Sequence, residues 1–261
     1  AVDGAAERGG FSVMTLTFGS LFAGIGGFDL GFERAGMVCK WQVEIDEYAN
    51  RVLAKHWPNV RRWPDVRTWP QPDTERVDVI CGGFPCQDIS YAGKGAGIHG
   101  ERSGLFFEAM RIVREMGPRV VVLENVAALL TRGMGDVLGT LASLGFDAEW
   151  ECIPASSLGL YHDRDRVFVC AYCEGTVSGV FSKSRKSTRR QWELRRLASS
   201  SAASRWPSER LKGEPDVAPL VHGVSDRLGR RGIGKALGNA VVPQVAEWIG
   251  RRIVEATEAE S

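Results

Sequence analysis

Up to residue 172 the chain switches repeatedly between runs of adjacent apolar residues and stretches where apolar residues recur every three or four positions. The first pattern marks buried strands and the second amphipathic helices. "LTFGSLF" (16–22) predicts a strand ending in the glycine loop "AGIGG", and "FDLGFERAG" (28–36) a short helix with a glycine stop. "MVCKWQVE" (37–44) predicts a second strand with an acid at its end. "DEYANRVLAKHW" (46–57) carries Tyr48, Val52, Leu53 and Trp57 at helical spacing. "VDVICGG" (77–83) reads as a strand with glycines at its carboxyl end, and "SGLFFEAMRIVREMG" (103–117) as a helix with a serine cap signal and a glycine stop. "RVVVLENV" (119–126) is a β-branched run expected to be a fully buried strand, and "MGDVLGTLASLG" (134–145) is helical. "DAEWECIPA" and "DRVFVCAY" predict two more strands. Strands alternating with helices point to an α/β fold with a parallel, doubly wound sheet.

After residue 173 the periodicity fails. The segment "SGVFSKSRKSTRRQWELRRLASSSAASRWPSERLKGEPD" is rich in serine, arginine and lysine, and only Trp192, Leu194, Leu197 and Trp206 could form a small core. A helical pattern returns in "AVVPQVAEWIGRRIVEAT" (240–257), with Val245, Trp248, Ile249 and Ile253 on one face that must be buried, most simply against the main sheet. This divides the chain into a main domain of residues 14–172 plus 233–258 and a small basic unit at 173–232. Residues 1–13 read as a disordered tail, with Met14 the expected natural start and no apolar stretch of signal-peptide type.

The net charge of +1 hides an uneven distribution. Residues 173 to 235 hold 14 basic and 6 acidic side chains, a net of +8, against −7 for the remainder. A basic segment beside an acidic body suits a polyanion-facing module, or simply a solvated basic loop. Six cysteines scattered through apolar strands do not make a disulfide scaffold, so a reducing, cytoplasmic setting is expected. "CAYC" at 170–173 has metal-site spacing but no second pair, and its first cysteine ends an apolar strand, which favours core packing and no metal. No apolar run is long enough for a membrane span.

In doubly wound sheets ligands bind at the carboxyl ends of the strands. Gly24–Gly27, Glu44, Gly82–Cys86 and Glu124–Asn125 all fall there. "FAGIGG" (22–27) lets backbone approach a ligand, and Glu44, 20 residues beyond Gly24, has the spacing of a carboxylate that binds a ribose diol. The glycines do not fit GxGxxG, so an adenosine ligand without a pyrophosphate is favoured over a dinucleotide. Asp65 could accept from an adenine amino group. Cys86 follows Gly-Gly-Phe-Pro at a strand end, an exposed and rigid place for a thiolate nucleophile. Glu124 ends another buried strand, where a carboxyl can carry a proton at neutral pH. Arg164 and Arg166 in "YHDRDRVF" (161–168) alternate on one strand and so share a face. Asn239, before the last helix, could cap it or bind a ligand. Taken singly, each motif has a plain alternative: a tight structural turn for the glycine loop, a packing thiol for Cys86, a surface Asp–Arg pair for the arginines and a helix cap for Asn239.

Together, "SLFAGIGGF", "GGFPCQDIS", "ENV", the Arg-x-Arg of "HDRDRV" and "GNAVVP" resemble, in sequence and order, the DNA cytosine-5 methyltransferase family over about residues 16–172 and 228–255. The resemblance implies a Rossmann-like domain dependent on S-adenosylmethionine (AdoMet), with a small inserted target-recognition domain. It implies that Cys86 attacks C6 of a flipped cytosine, that Glu124 contacts N3 and the amino group, and that Arg166 with Arg164 positions the base. C5 then takes the methyl group of AdoMet and elimination releases Cys86. The AdoMet site would include Phe22, Ala23, Gly24, Ile25, Gly26, Glu44, Ile45, Asp65, Val66, Pro85, Leu105, Asn239 and Ala240. Duplex DNA is the implied partner, with Gln87, Ser90, Arg185, Arg189, Arg190 and Arg205 as candidate contacts. A monomer in a bacterial or phage-infected cell, with or without a cognate restriction endonuclease, is the expected setting. His162 stands where the family usually has glutamine, and the recognition region is short. The competing readings are a catalytically inactive DNA-binding homologue and an RNA cytosine methyltransferase of the same fold.

Overall fold

The computed structural model describes residues 15–85, 104–154, 165–173, 179–181 and 240–259. Its strands are β1 (Thr17–Leu21), β2 (Val38–Val43), β3 (Arg61–Trp63), β4 (Val79–Gly83), β5 (Val120–Val126), β6 (Phe146–Pro154) and β7 (Asp165–Cys173). Its helices are α1 (Gly27–Arg34), α2 (Glu47–His56), α3 (Leu105–Met116), α4 (Leu129–Arg132), α5 (Met134–Ser143) and α6 (Pro243–Glu258). The seven strands form one sheet in the order β3-β2-β1-β4-β5-β7-β6.

The chain winds outward from β1 to β3, then returns to place β4 on the other side of β1 and winds the opposite way. The crevice beyond the carboxyl ends of β1 and β4 is therefore the topological switch point, where doubly wound sheets bind ligands. The all-parallel expectation needs correction at one edge, because β7 runs antiparallel to both β5 and β6. Side-chain alternation reports burial but not strand direction. The three-residue β3 and the four-residue α4 were not expected, being too short to show a period.

Alternation along the strands builds two cores. Phe18, Val79, Cys81, Val120, Val122, Phe168 and Cys170 face one side, which α1 and α6 cover. Leu21, Ile80, Val121, Leu123, Val167 and Val169 face the other, against the apolar stripes of α3 and α5. Cys170 of the CxxC pair is a fully buried core thiol. The stripe of α6 is buried as its periodicity requires, with Val245, Trp248, Ile249 and Ile253 each no more than 2% exposed. Helices α1 and α6 pack so closely that a Cβ at Gly31 would overlap Ala246. Gly117, the expected stop of α3, holds φ +59°, while Gly104 occupies its N-cap. The basic unit at 173–232 lies almost wholly outside the described residues, as does the 1–13 tail.

Candidate active site

One half of the crevice starts where β1 ends. Phe22, Gly24 and Gly26 all take positive φ (+52°, +56° and +85°), which turns the chain tightly into α1. Such a conformation is easy for glycine and costs a side-chain-bearing residue energy, so Phe22 stores strain at the mouth of the site. Gly26 is also packed hard from behind, since a Cβ there would enter the ring of Trp57 and sit 3.3 Å from Leu53. The loop is held in front by Glu44. One carboxylate oxygen accepts from the Gly24 N–H at 2.7 Å and the other from the Asp46 N–H at 2.8 Å. Burial pushes the Glu44 carboxyl up from its ordinary range, and these two N–H donors oppose that. The acid chosen for a ribose is thus also the clasp of the glycine loop, and its oxygens retain further acceptor capacity. Asp46 in turn caps α2 by accepting from the N–H groups of Tyr48 and Ala49.

Asp65 lines the same crevice, on the turn that follows β3. Its carboxylate is already engaged by the guanidinium of Arg67, with Nη2 at 2.7 Å and Nε at 3.0 Å and 3.1 Å from the two oxygens. The Arg67 guanidinium and N–H hold Asp65 below the usual carboxylate range. Arg67 is a crevice residue that the sequence reading missed, although its position two residues on was a visible signal. Arg111 of α3 fixes this turn by donating to the carbonyls of Val66 and Trp69 at 2.9 Å and 2.7 Å.

The other half of the crevice comes from β4, β5 and β7. Glu124 is buried and meets Arg166 Nε at 2.8 Å, diagonally across the antiparallel β5–β7 pair. Gly83 makes room for it, since a Cβ there would stand 2.8 Å from Glu124 Oε2. Asn125, at the strand end where the sequence places it, donates from Nδ2 to the Phe84 carbonyl at 3.0 Å. That bond ties the end of β5 to the loop that carries Pro85 and, bonded to it, Cys86.

These parts enclose a cavity of about 650 Å³, the size range of small-molecule sites. Of the expected residues, Phe22, Gly24, Ile25, Glu44, Ile45, Asp65, Val66, Pro85, Leu105, Ala240, Glu124 and Arg166 line it together. Ala23 and Gly26 do not; they sit behind the loop, against Leu53 and Trp57. Cys86, Gln87, Ser90, His162, Arg164, Arg185, Arg189, Arg190, Arg205 and Asn239 lie outside the described residues. Carboxylates of Glu44, Asp46, Glu47, Asp65 and Glu124 outnumber the guanidiniums of Arg67 and Arg166 around the cavity. With a carboxylate already bonded to the Gly24 N–H, a pyrophosphate would be repelled there, whereas a cationic adenosine ligand such as AdoMet fits. Among the described residues no group of three His, Cys, Asp or Glu could hold a metal, and no helix is long and apolar enough to cross a membrane.

Residues 16–215 match the family model described as C-5 cytosine-specific DNA methylase. The chain is 42% identical over 167 residues to the Type II methyltransferase M.Eco47II of Escherichia coli, covering 61% of this chain and 40% of that protein. It is 35% identical over 161 residues to the Type II methyltransferase M.BsuFI of Bacillus subtilis, covering 60% of this chain and 39% of that protein. The matched portion therefore spans less than half the length of these two curated relatives. Among solved structures, a candidate DNA modification methyltransferase encoded within an E. coli prophage superposes with a TM-score of 0.69 at 18% identity, covering 94% of this chain and 100% of that one. At that identity the likeness speaks for the fold.

Proposed function

Because the chain belongs to the C-5 cytosine-specific DNA methylase family, we propose that it transfers a methyl group from AdoMet to C5 of a cytosine flipped out of duplex DNA. The observation that carries this reading is the joining of two half-sites in one cavity: the Gly24–Glu44 clasp at one end, and the Glu124–Arg166 pair beside Pro85 at the other. AdoMet supplies an electrophilic methyl group on a sulfonium. Phe22, Ile25, Ile45, Val66 and Leu105 offer apolar walls for its adenosine, and Glu44 offers acceptors for the ribose hydroxyls.

The chemistry assigned to the chain follows from cytosine's reluctance to act as a carbon nucleophile. The Cys86 thiolate forms a bond to C6, and the C5=C6 electron pair becomes available at C5 for the methyl group. The Glu124 carboxyl gives a proton to N3 and accepts from the exocyclic amino group, which neutralises the negative charge that the ring gathers as sulfur adds. Arg166, held 2.8 Å from Glu124, fixes that carboxyl's direction and offers donors to the base. Water at the site then takes the C5 proton, the C5–H electron pair re-forms the C5=C6 bond, and the C6–S bond breaks to release the Cys86 thiolate. Both ring faces are stacked in a duplex, so the base has to leave the helix before sulfur can reach C6.

The test is transfer of tritiated methyl from AdoMet to cytosine-containing duplex DNA, run beside the same sequences as RNA. Label on DNA at C5 is expected, and Cys86→Ser should abolish turnover while leaving AdoMet affinity nearly unchanged. Full turnover by Cys86→Ser would remove the nucleophile assignment, and labelling of RNA alone would replace the substrate.

A further inference from the structure

Beneath the glycine loop lies a polar cluster that the proposed chemistry does not use. Asp29, in the first turn of α1, is completely buried, as are Ser20 of β1 and Gln42 of β2. Ser20 Oγ donates to Asp29 Oδ2 at 3.1 Å, and Gln42 Nε2 donates to Oδ1 at 2.8 Å. The Cys39 thiol of β2 lies 3.5 Å from the same Oδ1. Arg62 of β3 extends the chain outward, with Nη1 3.4 Å from Gln42 Oε1 and 2.6 Å from the Trp57 carbonyl.

Each arm of this cluster ends at the cofactor cavity. Ser20 is two residues before Phe22, Gln42 two before Glu44, and Asp29 three after Gly26. Phe22 and Glu44 line the cavity, and Gly26 sets the turn from β1 into α1. One carboxylate thus fixes, from below, the segments that the Glu44–Gly24 bond clasps from above. We propose that Asp29 is a positioning residue of the cofactor site: its ionised carboxylate holds the glycine loop and Glu44 in register, and its protonation loosens both and weakens AdoMet binding. The inference rests on the functional reading given above only for the identity of the ligand.

The chemistry supports a switch. An ionised carboxylate accepts from every donor around it. Once protonated it must place an O–H: at Oδ1 it meets the Gln42 amide N–H, and Gln42 cannot turn its oxygen inward without giving up Arg62, while at Oδ2 it makes the Ser20 hydroxyl accept where it had donated and turn its own proton elsewhere. Burial pushes the Asp29 carboxyl up to about 6, against the opposing pull of Gln42 and Ser20, so the change falls within an accessible pH range. The other titratable or charged groups of the surroundings are distinct from it. The thiols of Cys39 and Cys81 are raised by burial and by Asp29 itself, so they stay protonated across this range. On the flank of α1, Glu247 of α6 is paired with Arg251 at 2.8 Å, and Glu33 is on α1 itself.

The decisive experiment follows the Gly24 and Gly26 amide resonances of the ligand-free protein between pH 5 and 8, in wild type and Asp29→Asn, with AdoMet titrations in parallel. Wild type should show a loop transition centred near pH 6, with AdoMet affinity falling at least threefold below it. Asp29→Asn should lack that transition and bind AdoMet weakly at all these pH values, with kcat at saturating AdoMet retained. The double variant Asp29→Asn/Gln42→Glu, which restores an amide–carboxylate pair beside Arg62, should recover affinity at pH 8. A wild-type loop unmoved by pH, or the same transition surviving in Asp29→Asn, overturns the proposal. A loop that moves as described in a protein that binds no AdoMet overturns the functional reading instead. Should Asp29→Asn alone fail to fold, the wild-type titration and the double variant still decide.

Discussion

Two glycines of the loop, Gly24 and Gly26, give a test of why it has its sequence. Both have positive φ, so an alanine at either carries a left-handed penalty of about 1–2 kcal/mol. At Gly24 the new methyl meets open space, its nearest neighbour being the Phe22 carbonyl at 3.9 Å. At Gly26 it runs into the buried ring of Trp57, and overpacking of a tight core adds roughly 1–3 kcal/mol. Gly24→Ala should therefore lose about 1–2 kcal/mol in ligand-free urea unfolding, and Gly26→Ala about 2–5 kcal/mol. Trp57→Leu should relieve part of the second loss, so the double variant Gly26→Ala/Trp57→Leu should be more stable than the sum of the single changes. Equal losses at the two glycines, or strict additivity in the double variant, would refute the claim that Trp57 dictates the glycine behind it.

Gly83→Ala places a methyl against Glu124 Oε2, so kcat should drop ten-fold or more in a methyl-transfer assay while AdoMet affinity changes little. Asp29 also makes a prediction for stability. Its folded carboxyl titrates near 6 against an ordinary 3.8, so the folded state holds the proton more tightly. That term favours folding below about pH 4 and is lost as pH rises through 6, a decline of about 3 kcal/mol. Between pH 4 and 7 the stability of wild type, read from unfolding curves at pH 4, 5, 6 and 7, should fall by about that much more than the stability of Asp29→Asn, and an equal change in the two would contradict the burial of a charge there.

Much of the site was legible because strand ends and glycines are local signals. Glu44 and Glu124 each sit at the close of an apolar run, and the fold had only to align the carboxyl ends of β2 and β5. What stayed hidden depends on neighbours that sequence does not name. Asp29 reads as the wet face of an amphipathic helix, yet Ser20 and Gln42 in otherwise apolar strands were the trace of a buried partner. The direction of β7 was invisible for the same reason, since alternation is identical in a parallel or antiparallel strand. Ala23 and Gly26 share a motif with Gly24 but face Leu53 and Trp57, because consecutive residues in a tight turn cannot all face one ligand.

The packing of α6 on α1 reaches beyond geometry to the timing of synthesis. The wall behind the glycine loop is built from both ends of the described chain: Gly27 abuts the Val241 carbonyl, Gly31 abuts Ala246, and Arg251 reaches the Arg34 carbonyl across 217 residues. A nascent chain that has not yet emerged past residue 259 leaves Phe28 and Phe32 without the apolar stripe that covers them. It therefore cannot hold the loop in its working shape. The working shape of the glycine loop would then arrive only after the region between 173 and 240 has been made.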